Sequence, residues 1–81
     1  MTDGTLIATL PKNTREEIRI ELSEFSGHDL ISIRAWADRR DGADGERIPT
    51  KAGIAAKVAL LPKLIEALRD AQAEAERRGL L

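Results

Sequence analysis

EIRIELSEFSGHDLISIRAWA, Glu17 to Ala37, is the stretch that decides the fold. In its first half Ile18, Ile20 and Leu22 alternate with Arg19, Glu21 and Ser23. Successive side chains of a strand point to opposite faces, so period two over this length predicts a strand with one face buried and one wet. Ser26-Gly27-His28-Asp29 interrupts the run with turn-forming residues. In the second half Ile31, Ile33 and Ala35 share one face, and Leu30, Ser32, Arg34 and Trp36 share the other. Two alternating runs joined by a short glycine-containing turn predict a β-hairpin.

Upstream of the hairpin, Thr5 to Leu10 (TLIATL) is a short apolar run ended by Pro11. It reads as a first edge strand or an N-terminal arm, with pairing to its own sheet or to a partner's both open. Downstream, Asp38 to Glu46 (DRRDGADGE) reads as a solvated loop, in which Arg39 and Arg40 are expected to make local ion pairs. Arg47 to Leu60 is strand-like, but Pro49 and Gly53 within it predict an edge, a bulge or a bend.

From Leu61 the period changes. Leu61, Leu64, Ile65, Leu68, Ala71 (or Gln72) and Ala75 recur at three and four, which is one face of a helix. Pro62 suits the first helical turn, where its missing N–H costs nothing. Arg77 and Arg78 complement the dipole at the far end, and Gly79 is a natural stop. Strands first and then one helix is the α+β pattern. A single helix covers one sheet face and leaves the other to solvent or a ligand.

Size and composition narrow the function classes. Eighty-one residues make one small domain, whose surface-to-volume ratio leaves it marginal unless a second copy completes its core. With no cysteine and one histidine, neither a disulfide nor a zinc site is expected. No apolar run is long enough to span a bilayer, and Met1 to Gly4 carries no basic, apolar leader. An intracellular protein is expected. Asp41 and Asp44 lack the further ligands of a calcium loop. The chain also lacks a nucleophile–base set and a phosphate loop, so no enzyme and no cofactor or metal is expected. Thirteen Lys and Arg against fourteen Asp and Glu give a net charge of -1. Bulk attraction therefore cannot hold a nucleic acid, and any such role needs a local patch.

Three segments taken in order resemble the positive cofactor 4 family: Phe25-Ser26-Gly27-His28, then Leu30-Ile31-Ser32-Ile33-Arg34-Ala35-Trp36, then Ile48-Pro49-Thr50-Lys51-Ala52-Gly53-Ile54. The family pattern is an aromatic-Lys-Gly-Lys turn, a strand with Ile-Arg and aromatics, an acidic loop, and a Pro-x-Lys/Arg-Lys-Gly-Ile strand before a helix. The resemblance runs from about Glu17 to Leu68. It implies a twisted antiparallel sheet of about four strands and a C-terminal helix. It also implies a homodimer through helices and sheet edges. Residues 1–16 form an arm or short strand in this reading, 17–78 the domain and 79–81 a tail. The implied function is non-enzymatic binding of single-stranded or melted DNA without strong sequence preference, as a coactivator or regulator working with the transcription machinery. The implied place is the bacterial cytoplasm and nucleoid, or a eukaryotic nucleus.

Carried onto this chain, the resemblance nominates Phe25 and Trp36 to stack on bases. Arg34, Lys51 and Arg47 would hold phosphates, with Arg19 and His28 beside them. Phe25 equally suits a plug at the sheet edge, and Trp36 a cap on the core or on a dimer interface. Leu61, Leu64, Ile65 and Leu68 are core first and dimer seam second. Ser26, His28 and Ala52 stand where the family has lysines, and Ala37 where it often has an aromatic. From Ile18 to Gly53 six Lys and Arg face seven Asp and Glu, so weaker and more salt-sensitive binding is expected. The alternative is a dimeric protein-interaction module that has lost much of the DNA-binding surface.

Overall fold

The β2–β3 hairpin organises the chain. In the computed structural model, which describes residues 4–38 and 47–81, strand β1 runs Thr5–Pro11, β2 Glu16–Phe25, β3 His28–Asp38 and β4 Arg47–Lys57. A 3-10 turn, Val58–Leu60, leads into helix α1, Leu61–Arg77. The strands form one antiparallel sheet in the order β1-β2-β3-β4. This is the expected α+β architecture, with four strands and one C-terminal helix. Thr5 to Leu10 pairs with its own chain, on β2. Arg39, Arg40, Asp41 and Asp44 lie outside the described residues.

The hairpin turn is tighter than expected. Only Ser26 and Gly27 are in it, and both have positive φ, 52° and 79°. Two such residues match the right-handed twist of the flanking strands, which is why two-residue hairpins use them. His28 and Asp29 are therefore in β3, paired with Phe25 and Glu24. The β1–β2 connection is held differently. Asn13 Oδ1 accepts hydrogen bonds from the backbone N–H of Arg15 (2.9 Å) and Glu16 (2.8 Å), so a side chain mimics a backbone turn.

Directly paired residues share a face, so the register sorts the sheet into two unlike sides. Ile18, Ile20 and Leu22 of β2 pair with Ala35, Ile33 and Ile31 of β3. Ile54 and Ala56 of β4 join Ile33 and Ile31, and Ala8 and Leu10 of β1 join Ile20 and Ile18. This is the apolar face. Ile31 and Ala35, 3% and 5% exposed, are the buried hydrophobic residues at its centre.

The β3–β4 pairing is irregular. Arg34 faces Gly53 and Trp36 faces Pro49, so Thr50, Lys51 and Ala52 bulge out opposite Ala35. Pro49 and Gly53 thus mark an edge strand with a bulge, as expected. Thr50 closes the bulge: its hydroxyl donates to Ala35 O (2.9 Å) and accepts from the Ala52 N–H (3.1 Å). Gly53 is there because the strands nearly touch. A Cβ on it would lie 2.5 Å from Ile33 O and 2.7 Å from Arg34 Cα.

Helix α1 begins with Pro62 in its first turn. It ends as expected at Gly79 (φ 74°), where Gly79 N–H donates to Glu76 O (3.0 Å) and Leu80 N–H to Ala75 O (2.8 Å). The expectation that it covers a sheet face is corrected. It packs mainly on the preceding 3-10 turn and buries no residue. A 3-10 turn is a common start to a helix, and here it carries the chain off the sheet after Lys57. The result is an open shape. The accessible surface of 6500 Å² is about 1,700 Å² more than a compact monomer of this mass exposes. The radius of gyration of 15.0 Å compares with about 11.7 Å for a compact domain of this length.

Gly53→Ala should lower stability by roughly 2–3 kcal/mol, since backbone must move to admit the methyl group. Thermal melting followed by circular dichroism checks this. An unchanged midpoint would show that β3 and β4 can separate at no cost.

Candidate nucleic-acid interface

The opposite face of the sheet is polar, and it gathers most of the nominated residues. Read across the strands from the hairpin end, Phe25 lies beside His28, and Ser23 beside Leu30 and Lys57. Glu21 then lies beside Ser32 and Ala55, and Arg19 beside Arg34 and Gly53. Glu17 lies beside Trp36 and Pro49, and Asp38 beside Arg47. Phe25, His28, Arg19, Arg34, Trp36 and Arg47 thus form one track. Lys51 is apart from it, on the β4 bulge at the sheet edge. About 27 Å separates the Phe25 end from the Trp36 end, eight residues along β3.

Phe25 is 61% exposed, so it plugs no core. Trp36 is different. The Arg19 guanidinium carbon sits 4.1 Å from its ring centroid, a cation–π contact. Its Nε1 is buried with no hydrogen-bond partner, so that edge of the indole points into the protein.

The arginines are already engaged. Arg34 Nη1 donates to Thr50 O at 2.9 Å, tying β3 to the bulge. Arg19 Nε donates to Glu17 Oε2 at 2.5 Å, and Arg47 Nη1 to Glu17 Oε1 at 2.8 Å. Arg47 also reaches Asp38 Oδ1 (2.9 Å) through Nε and Thr14 O (3.2 Å) through Nη2. Lys51 and Lys57 are exposed and make no ion pair among the described residues.

Two carboxylates are held low by their neighbours. The Arg19 guanidinium hydrogen-bonded to Glu17, joined by Arg47, holds its carboxyl below the usual range against the opposing effect of burial. The Asn13 amide, with the Lys12 ammonium 3.5 Å away, does the same for Glu16.

Sequence reading missed Glu17 and Lys57 as parts of this face. Glu17 is detectable by its spacing of two from Arg19, but its link to Arg47 crosses three strands. Lys57 joins the face only through its register with Leu30. Among the described residues no three His, Cys, Asp or Glu cluster as metal ligands, and no helix is long and apolar enough to cross a membrane. Of the nominated helix residues, Leu61 and Leu64 are half-buried, while Ile65 and Leu68 are exposed.

The lowered carboxyls have a signed consequence for stability. Each binds fewer protons folded than unfolded, so its contribution is present above the unfolded value of 4.5 and fades as pH falls through the lower folded one. Unfolding midpoints should hold near neutrality and drop below about pH 4.5, and Glu16→Gln with Glu17→Gln should flatten that drop. An identical acid limb in the double variant would contradict this.

Comparison with known proteins agrees with the geometry. Residues 12–67 match the model of the family Transcriptional Coactivator p15 (PC4). The crystal structure of BPSL1147, a PC4 homolog from Burkholderia pseudomallei K96243, is similar at 30% identity with a TM-score of 0.77, covering 86% of this chain and 98% of that one. The bacteriophage T5 homolog of the eukaryotic coactivator PC4, implicated in recombination-dependent DNA replication, matches at 29% identity and a TM-score of 0.70, over 91% of this chain and 82% of that one. The protein of a MoSub1–DNA complex matches at 28% identity and a TM-score of 0.59, over 89% of this chain and 85% of that one. No curated protein sequence matches. With a family model spanning more than half its length and the same sheet-then-helix fold, the chain belongs to the PC4 family.

Proposed function

We propose that this chain is a non-enzymatic single-stranded-DNA-binding protein acting as a homodimer, with the polar sheet face as its binding surface. The observation that carries the reading is the track itself: an exposed phenylalanine, a tryptophan under an arginine, and several cations on one open face. Unpaired bases stack on aromatic rings whatever their identity, which fits binding without strong sequence preference. The separation of Phe25 from Trp36 means the two rings serve different nucleotides of one strand. Lys51 and Lys57 are the cations with phosphates to seek. A MoSub1–ssDNA complex, 28% identical over 88% of this chain, supports the ligand class. A regulatory role in transcription is supported by the family likeness alone.

The dimer rests on what one chain leaves uncovered. Ile7, Leu10 and Ile54 on the sheet and Ile65 and Leu68 on α1 are exposed. Removing about 1,700 Å² per chain lies within the range of obligate homodimer interfaces. In a two-fold dimer every contact between the copies is made twice, so the same exposed apolar residues are covered in both.

Titration of fluorescein-labelled oligothymidine at several salt concentrations tests the ligand. Phe25→Ala should weaken binding by about 1–3 kcal/mol without lowering the melting point. Lys51→Ala should reduce the log–log salt slope by about 0.7. No binding by the intact protein at low salt sinks the reading and favours a protein-interaction module. Light scattering tests the assembly: the wild type should have twice the chain mass, and Ile65→Ser with Leu68→Ser should yield monomer. A wild type of single-chain mass at micromolar concentration would contradict the dimer.

A further inference from the structure

We infer that Glu17 is an internal competitor for the DNA backbone, an anion built into the interface that occupies the two guanidinium groups a phosphate would take. The inference rests on the single-stranded-DNA reading above and assigns the regulation of that same surface. Glu17 sits between Arg19 and Arg47, with one carboxylate oxygen on each, at 2.5 and 2.8 Å. A carboxylate accepting from two arginines in this way presents what a phosphate presents: a single delocalised charge with oxygens spaced to meet separate donors. Its side chain is only 17% exposed, and those of Arg19 and Arg47 are 28% and 23% exposed. The three groups are thus withdrawn from water, where their attraction is less screened than on an open surface. Asp38, 2.9 Å from Arg47, adds a second and more exposed anion on the same cation.

The contact has two consequences for a bound strand. It removes two of the cations on the track from the charge available to phosphates, leaving Lys51 and Lys57 farther along β4 from Arg47. It also fixes Arg19 over Trp36, because the Nε that Glu17 holds is part of the guanidinium lying 4.1 Å from the ring. A phosphate that binds Arg19 and Arg47 must therefore displace Glu17. Once released, Arg19 is free to leave the ring and open it to a base. Binding at this end of the face is an exchange of anions, coupled to exposure of the stacking platform.

Glu17→Gln keeps the size and an acceptor for Arg19 while removing the charge. Oligothymidine titration across salt should show affinity rising roughly tenfold at low salt. The log–log slope should steepen by up to about 1.4, or about 0.7 for each released arginine. Asp38→Asn, farther from the core, should give a smaller gain of the same sign. Adding Arg47→Ala to Glu17→Gln should cancel about half of the added slope. Trp36 emission reports the second consequence: DNA should change it in the wild type, and the variant should show part of that change without DNA.

A purely structural role predicts a lower melting point with unchanged affinity and slope in both single variants, and that result overturns the inference. Wild-type binding with no gain in either variant overturns it while leaving the single-stranded-DNA reading intact. Binding by Glu17→Gln alone supports it. Binding by neither the wild type nor any variant overturns both.

Discussion

The register of the β2–β3 hairpin, set by the Ser26–Gly27 turn, is the constraint on which the rest of the structure depends. Side chains alternate with period two, so a slip of one residue would move Ile18, Ile20 and Leu22 to the wet side and Arg19 to the apolar one. With the turn at two residues, Arg19 meets Arg34 and Glu17 meets Trp36. Those pairings create the cation–π contact and place Glu17 within reach of Arg47 on the far strand. The bulge at Thr50 depends on the same register, since its hydroxyl bonds to Ala35 O and Arg34 bonds to its carbonyl.

An open sheet of this kind leaves two surfaces that need different partners. The apolar face and the α1 stripe are most stable out of water, and a single chain buries little of either. The polar face is most stable wet or against a polyanion. Such a division explains how a chain of net charge -1 serves a family tied to DNA. Charge is organised locally, and much of it is neutralised inside the molecule. Arginine suits this arrangement, because one guanidinium can hold a carboxylate, a carbonyl and a ring at once. Arg47 holds two carboxylates, of Glu17 and Asp38, and the Thr14 carbonyl, while Arg19 holds the Glu17 carboxylate and the Trp36 ring.

Much of this was legible in the sequence, and the reasons are local. Alternation in Glu17–Ala37 fixes a hairpin without tertiary information. The stripe from Leu61 and the stop at Gly79 define a helix by spacing alone. Pro49 and Gly53 announce an edge, a bulge or a bend, because one lacks a donor and the other lacks a Cβ. Other features were not legible. The length of the turn is one, since His28 and Asp29 have turn chemistry but are claimed by pairing with Phe25 and Glu24. The place of the helix is another, because amphipathicity says that a face is buried but not against what. The Glu17–Arg47 contact, thirty residues apart in sequence, arises only when β2, β3 and β4 lie in register. The same holds for Lys57.

The division of the sheet into a DNA face and a face that meets protein is the central claim. Side-chain NMR during titration with oligothymidine tests it most directly. Arginine Nε–H signals of Arg19, Arg34 and Arg47 and the Nε1–H signal of Trp36 report the polar face. Methyl signals of Ile18, Ile20, Ile33 and Ile54 report the apolar one. The account predicts that the arginine and tryptophan signals move while the isoleucine methyls stay. Shifts confined to the isoleucine methyls, with the arginines unmoved, would contradict it.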